Sequence, residues 1–518
     1  MKNRKILKFI RDNWGKQVKR ERDYNSMKSF FEDEYKTENS ISDNTWEDLN
    51  MNEVFSRVDR TYSTLGENSL YGLLRNPVKD NDCLKRRNKI ISIFENNVQV
   101  REKAIIELHR LGKTHSNISA VLYNKLDKKP LLRILCYILA YGAMLDLSSL
   151  IYTRNKINIY LLLILSLVNM FIHFHLTFKL NNQILSVAYL NKTIKTAKSI
   201  CNIKNSELNK DNISISKTIK RCKKIYKKSS NIINIEGLDI IGEYINTLFL
   251  LQEINYLSLI SEIESCKIEL RNLVLFVGEM DALLSIASYR AGLNQYSVPN
   301  LVYKNKILKV KNIFHPLITN SVSNSIDLDN KGIIITGSNM SGKSTFLKTL
   351  AINVIFAQTI YTCLCSEYYG SYFNILTSIV PADDIISGRS YYMSEVEAIH
   401  RIILKCQCET PCIAFIDEIF RGTNSVERIN SSVVILDYLM KHNALVIVAT
   451  HDLELTKMLA NYVPYYFSEN ISKNGLTFDF TIKKGVSPTR NAVRLLEYKG
   501  YPTEIISEID KRIAYNKG

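Results

Sequence analysis

The stretch that most constrains this chain is Gly332 to Thr345, G-I-I-I-T-G-S-N-M-S-G-K-S-T. Ile333 to Thr336 are apolar or β-branched and predict a buried strand; a helical pattern follows through Phe346, Leu350, Val354 and Ala357. Between the two lies G-x-x-x-x-G-K-S, Gly337 to Ser344. A strand, a glycine loop and a helix in this order aim backbone N–H groups at phosphate oxygens. Gly337 and Gly342 permit the turn, Lys343 is placed to reach the β- and γ-phosphates, and the Ser344 hydroxyl is placed to ligate Mg²⁺. The helix N-terminus adds a favourable dipole. With only 19 glycines in 518 residues, a chance match is on the order of 1%, so the stretch implies nucleotide binding.

Two more elements carry matching chemistry. Cys412 to Ile416 predicts an apolar strand ending in Asp417-Glu418. The first acid can hold Mg²⁺ through water, and the second can orient or deprotonate an attacking water. Ala444 to Thr450 predicts another strand, ending in His451-Asp452, from which the histidine can reach the γ-phosphate region of the same sheet edge. Ser390 closes Ser387-Gly388-Arg389-Ser390 and stands at the N-cap of a helical run in which Val396, Ile399 and Ile403 share a face. A serine at an exposed helix N-terminus is a phosphate ligand. Within one subunit Ser390 has no phosphate to meet, which implies a nucleotide sandwiched between two subunits.

The apolar fraction is 46%, and the scarcity of Gly and Pro (19 and 9) favours a helix-rich chain of two to four domains. A net charge of +17 suggests an anionic partner, DNA or an acidic membrane leaflet; a Lys-, Asn- and Ile-heavy composition accounts for the same surplus. Lys217, Lys220, Arg221, Lys223, Lys224, Lys227 and Lys228 form a basic block, read as a solvated face with a phosphate contact as the alternative. Ten cysteines without a cleavable signal peptide imply reduced thiols and a cytosolic ATPase. Cys363, Cys365, Cys406, Cys408 and Cys412 lack zinc-ligand spacing and are read as packing residues.

Two hydrophobic runs interrupt the helical pattern. Ile134 to Tyr152 is 19 residues with one acid, Asp146, and Ile157 to Phe178 is 22 residues with His173 and His175. Each is long enough to cross about 30 Å of hydrocarbon as a helix, and Thr153 to Lys156 suffices for a tight hairpin. Lys125, Lys128, Lys129 and Arg133 precede the pair and Lys179, Lys192, Lys195 and Lys198 follow it, against Arg154 and Lys156 at the tip. That asymmetry places both flanks in the cytoplasm. A buried hairpin in a large soluble core is the competing reading.

These motifs together resemble the ATPase domain of the MutS mismatch-repair family, itself akin to ABC-transporter ATPases. The resemblance rests on I-T-G-S-N-M-S-G-K-S-T-F-L (Ile335 to Leu347), D-D-I-I-S-G-R-S-Y-Y-M-S-E (Asp383 to Glu395), F-I-D-E-I-F-R-G-T-N-S (Phe415 to Ser425), A-T-H-D-L-E-L-T (Ala449 to Thr456) and His315-Pro316-Leu317. Arg60 to Pro77 looks like the start of the family's helical core and lever, and Gly278 to Ala287 like its end. The resemblance implies that Gly337, Ser338, Asn339, Met340, Ser341, Gly342, Lys343, Ser344 and Thr345 bind ATP. It implies that Ser344 and Asp417 serve Mg²⁺, Glu418 is catalytic, His451 meets the γ-phosphate, and Ser390 meets the γ-phosphate of the partner subunit. Arg421 to Ser425 would sit at the dimer seam of a homodimer with composite ATP sites.

The implied fold is an α/β P-loop (ABC-like) ATPase domain plus an all-α core and lever domain carrying a transmembrane helical hairpin. The expected organisation is a basic N-terminal arm over 1–44, core and lever over 45–130, the hairpin over 131–180, core and lever again over 181–298, and the ATPase over 299–518. The sequence also departs from the family. Phe30-Phe31-Glu32 has the letters of the family's mismatch wedge, but only about 25 residues separate it from the lever motif, too few for a reading domain. Phe420 replaces the usual Gly of the seam loop, Val426-Glu427-Arg428 replaces its Asp-Gly ending, and Ser321 stands where an aromatic often stacks on adenine. Two functions fit: a MutS-like ATP-dependent DNA-binding ATPase acting on mismatched or branched DNA near the inner membrane, or a membrane-associated mechanochemical ATPase that moves a protein or lipid partner without DNA.

Overall fold

The apolar run at Gly332–Thr336 is a fully buried strand, and the chain around it forms one of two compact units in this computed structural model. The structure describes residues 2–114, 118–124, 129–203, 209–226, 240–303, 306–338, 341–379, 391–472, 475–486, 496 and 500–515. One unit comprises residues 1–36, 59–72 and 89–291, and the other residues 37–58, 73–88 and 292–518.

The first unit is helical in its described residues, and two distant motifs close it. The Ser63 N–H and hydroxyl and the Tyr62 N–H donate to the buried Asp281 carboxylate, the Ser63 N–H at 2.7 Å. The Arg60 N–H donates to Ser285 Oγ at 2.7 Å. Gly66 must be glycine, because a Cβ there would come 2.2 Å from Asp281 Oδ2. This is why Arg60 to Gly66 and Gly278 to Ala287, widely separated in sequence, carry matching small and polar residues. Burial pushes the Asp281 carboxyl up to about 6 against its hydrogen bonds to Ser63 and Tyr62. At Asp59 burial acts the same way, but Arg20, Lys113 and Arg22, with a hydrogen bond from Thr61, outweigh it and hold that carboxyl at about 2.

The two hydrophobic runs form an antiparallel pair of helices, Pro130–Thr153 and Lys156–Cys201. Arg154, in the left-handed region at φ 51, turns the chain, and the Asn155 side chain caps the Ile157 N–H. The second helix does not end near Phe178 but runs unbroken for 46 residues. The hairpin is inverted relative to a soluble one. Leu145, Tyr160 and Phe171 are 72%, 70% and 74% exposed, whereas Asp146 and Asn169 are buried. Asn169 Nδ2 donates to the Leu248 carbonyl at 2.6 Å, and His173 Nδ1 meets Glu253 at 2.7 Å. Those partners belong to the helices Ile240–Phe249 and Leu251–Ser265, which pack on the hairpin.

The second unit holds two sheets. β1 (Asn300–Val302), β2 (Ile307–Ile313), β3 (Asn324–Asp329) and β5 (Glu367–Ser371) make a four-stranded sheet in the order β1-β5-β2-β3. β4 (Gly332–Thr336), β6 (Asn374–Ser378), β7 (Cys412–Asp417), β8 (Ala444–Ala449), β9 (Tyr462–Ser472) and β10 (Gly475–Lys484) make a six-stranded sheet in the order β10-β9-β4-β8-β7-β6. In the larger sheet β9, β4, β8, β7 and β6 run parallel, and β10 is antiparallel to β9. β4, β7 and β8 are buried along their whole length, as near-continuous apolar runs in a parallel sheet require. The helix Asp43–Asp48 covers the edge strand β6: Asp48 Oδ2 accepts from Thr377 Oγ1 at 2.6 Å and from the Ile379 N–H at 3.2 Å. Paired this way, the edge is closed to further strands. Cys363, Cys365, Cys406 and Cys412 are buried free thiols in this unit, and Cys408 is exposed.

Candidate functional site

Strand register brings the sequence-predicted residues together. Ile335 on β4 and Asp417 on β7 both pair with Ala449 on β8, so the three strands end level. The residues that follow them, Gly337, Glu418 and His451, therefore emerge along one edge of the parallel sheet, where ligands of such sheets bind.

The glycine loop leaves β4 through Gly337 at φ 147 and enters the helix Lys343–Thr359 through Gly342 at φ 105. A Cβ on Gly337 would lie 2.9 Å from Ser341 Oγ and 3.0 Å from the Phe467 carbonyl, so the loop tolerates no side chain there. Lys343 Nζ donates to the Gly337 and Ser338 carbonyls at 2.8 Å each and lies 3.4 Å from His451 Nε2. Burial lowers the Lys343 pKa, against the pull of Asp417 and Glu418. The Ser338 hydroxyl donates to Glu469 on β9. Ser344 and Thr345 open the helix with exposed side chains. Asn339, Met340 and Ser390 lie outside the described residues.

At the end of β7, Asp417 is buried and Glu418 adopts φ 62. Glu418 Oε1 meets His451 Nε2 at 2.9 Å, and Oε2 meets Arg421 Nε at 2.6 Å. Burial would raise the Glu418 pKa, but the His451 hydrogen bond and the Arg421 charge hold it below the usual carboxylate value. Phe420, where the resembled family has Gly, sits at φ 57, a conformation glycine adopts freely. Its ring lies 5.8 Å from that of Tyr392.

Three residues at this edge were missed by sequence reasoning. Arg428 forks onto Asp452 at 2.7 and 2.9 Å, tying the helix Ser425–Lys441 to the loop that carries His451. Phe480 on β10 lies over the glycine loop, 3.2 Å from a Cβ built on Gly342. Glu469 holds Ser338. A cavity of about 330 Å³ opens beside the loop, and Ile313, Ile318, Ser321, Val322 and Phe480 are among the residues that line it. Ser321 is thus a lining residue, and the aromatic surface comes from Phe346, Phe467 and Phe480. His315 is buried and its pKa falls to about 4, through burial and then the nearby Lys348.

The donor set suits a hard cation and a polyphosphate. Ser344 and Asp417 offer oxygen ligands of the kind Mg²⁺ takes. The glycine loop offers backbone N–H groups and a buried ammonium, and the adjoining cavity is apolar enough for a planar base. Among the described residues no cluster of three or more His, Cys, Asp or Glu side chains suggests a transition-metal centre.

Residues 333–515 match the family described as MutS domain V. Over 248 residues, 44% of this chain and 29% of the relative, the sequence is 30% identical to the DNA mismatch repair protein MutS of Petrotoga mobilis. It is 30% identical over 261 residues to that of Thermotoga sp. strain RQ2, covering 48% and 32%. It is 28% identical over 278 residues to the DNA mismatch repair protein MSH3 of Meyerozyma guilliermondii, covering 49% and 29%. The match thus spans about a third or less of the length of these relatives.

Proposed function

Because this chain is a member of the MutS family through its domain V, we propose that it is a P-loop, ABC-like ATPase that binds ATP with Mg²⁺ between two copies of itself and is anchored at the inner face of the membrane. The observation that carries the ATPase reading is the Glu418 carboxylate held between His451 and Arg421 at the level strand edge that also presents Lys343. A carboxylate so held is ionised at neutral pH and is placed to orient an attacking water or take its proton. Lys343 and the loop N–H groups bind and orient the phosphates, and His451 donates toward the γ-phosphate. Ser344 and Asp417 would hold Mg²⁺, which would supply charge neutralisation to the phosphates. Ser390 completes the site of the partner subunit.

The membrane reading rests on the inverted hairpin. Its apolar helical segments, Pro130–Thr153 and Lys156–Leu176, have 24 and 21 residues, about 36 and 32 Å at 1.5 Å per residue, against a hydrocarbon core of about 30 Å. An exterior of Leu, Ile, Tyr and Phe around buried Asp146 and Asn169 is the arrangement lipid selects and water does not. The ATPase then stays on the cytoplasmic side, with the basic flanks.

The relatives are named DNA mismatch repair proteins, which favours DNA as the partner, and mismatched or branched duplexes are the substrates of this reading. The hairpin favours the second reading as well, in which the helical lever moves a protein or lipid partner. Binding of branched and mismatched duplexes, measured at two salt concentrations alongside ATP turnover, separates them. Binding that falls steeply with salt supports DNA as the partner. Intact turnover with no DNA binding rejects it and leaves the membrane-coupled reading.

A further inference from the structure

Lys348 stands one helical turn beyond Ser344 on the same face of the helix Lys343–Thr359, and nothing in the ATPase reading uses it. Its Nζ donates to Asn50 Oδ1 at 2.7 Å. Asn50, at φ 52, is the left-handed residue that turns the chain between the helices Asp43–Asp48 and Met51–Val58. That corner is fixed to the sheet, because Asp48 accepts hydrogen bonds from Thr377 and Ile379 at the end of β6. The acceptor for Lys348 is therefore rigidly placed.

Burial lowers the pKa of the half-buried ammonium, and the charges of Asp48, Asp417 and Glu53 act against it. Among the described residues its hydrogen bond goes to the neutral Asn50 and to none of the three. A cation thus stands one turn from Ser344, within the electrostatic reach of the acid proposed to hold Mg²⁺, and a neutral amide on a separate helical corner holds it.

We infer that Lys348 is a positioning residue for the divalent cation: held by Asn50, it sets how tightly Ser344 and Asp417 take up Mg²⁺, and the 43–58 corner tunes that affinity. This rests on the ATPase reading. Two cations beside one carboxylate oppose each other, so deleting the lysine charge strengthens metal uptake. Releasing the lysine from Asn50 frees its charge to move among these acids, Asp417 included, which weakens uptake. By reciprocity, a bound metal drives the ammonium onto Asn50 and tightens the corner.

The test is a Mg²⁺ titration of the full-length protein's affinity for a fluorescent ATP analogue, read by anisotropy with no turnover required. Lys348→Gln should lower the half-saturating Mg²⁺ by about threefold or more, the size expected for one partly screened charge. Asn50→Ala should raise it, and Lys348→Arg should restore the parental value. Lys348→Met serves as a second neutral variant if the glutamine disturbs folding. A purely structural role would move the variants in one direction, so shifts of the same sign, or no shift, overturn the inference while leaving the ATPase reading intact. Absence of nucleotide binding by the unsubstituted chain would overturn both.

Discussion

Glu418 Oε1 and His451 Nε2 face each other at 2.9 Å across the ends of two adjacent strands. The Glu418 N–H donates to the Ala449 carbonyl at 2.9 Å, so the acid is locked to the strand that delivers its partner. Glu418→Gln keeps the shape and removes the base. It should retain ATP binding and slow hydrolysis by at least about 10²-fold, the usual range for losing a general base. Lys343→Ala should weaken binding itself. Parental hydrolysis by the glutamine variant in a single-turnover assay would remove Glu418 from the catalytic role.

Phe480, on β10, lines the cavity together with Phe346 and Phe467 and is the aromatic nearest Gly342. A stacked base contributes about 1–3 kcal/mol by alanine substitution in other stacking sites. Phe480→Ala should therefore raise the ATP KM by about tenfold while kcat changes little, and Phe480→Tyr should remain near parental. An unchanged KM would mean that the base sits elsewhere.

Composite sites make a mixing prediction. Ser390→Ala and Glu418→Gln subunits combined would form dimers with one site lacking both groups and one intact. Turnover should partly recover relative to either variant alone. No recovery at any ratio, with mixed dimers demonstrated by tagged pull-down, would count against a shared site.

The hairpin tip can be located directly. A cysteine at Asn155, in a background without native cysteines, should react with an impermeant thiol reagent from outside intact cells. Asp146 costs about 2.5–3.5 kcal/mol at a helix centre on insertion scales, against gains of about 0.3–0.6 for each Leu or Ile. Its burial inside the hairpin reduces that further. If the site stays unlabelled and carbonate releases the protein, the runs form a soluble hairpin and only the anchoring fails.

Asp281 makes the stability of the helical unit depend on pH. Its carboxyl is raised to about 6 from 3.8, so the folded form binds a proton more readily than the unfolded form. Its stabilising contribution is complete below about pH 4 and is lost as pH rises through about 6. Asp59 acts oppositely, its stabilisation being lost as pH falls from about 4 toward 2. Thermal midpoints should therefore rise as pH falls from 7 to 4, and Asp281→Asn should flatten that slope. An unchanged slope in the asparagine variant would assign it to other groups.

The placement of Gly337, Glu418 and His451 at the strand ends was legible because β4, β7 and β8 are apolar runs that give way to glycine or polar residues, so pattern and register coincide. Arg428 with Asp452, Phe480 with the glycine loop, and Lys348 with Asn50 were not legible. Each joins residues on different elements with no shared periodicity, and only the folded register brings them together. Positive φ at Glu418 and Phe420 was equally hidden, since neither residue type signals it. The second hydrophobic run was read to Phe178 because hydropathy drops there, yet the helix continues to Cys201. Helix propensity does not change where burial does. The inclusion of residues 37–58 in the sheet-bearing unit follows from the need to cover the β6 edge, a demand no local pattern states.

The unbroken helix from Lys156 to Cys201 joins two environments in one rod. At 1.5 Å per residue it is about 69 Å long. Val187 to Leu190, Ile194 and Ala197 are rooted in the helical core, and the far half carries the exposed apolar face. Such a rod has no joint at which motion can be absorbed. If its rooted half tilts by about 10°, a tip about 30 Å away sweeps about 5 Å. The helix is a moment arm, and whatever medium surrounds its outer half feels the torque of the core.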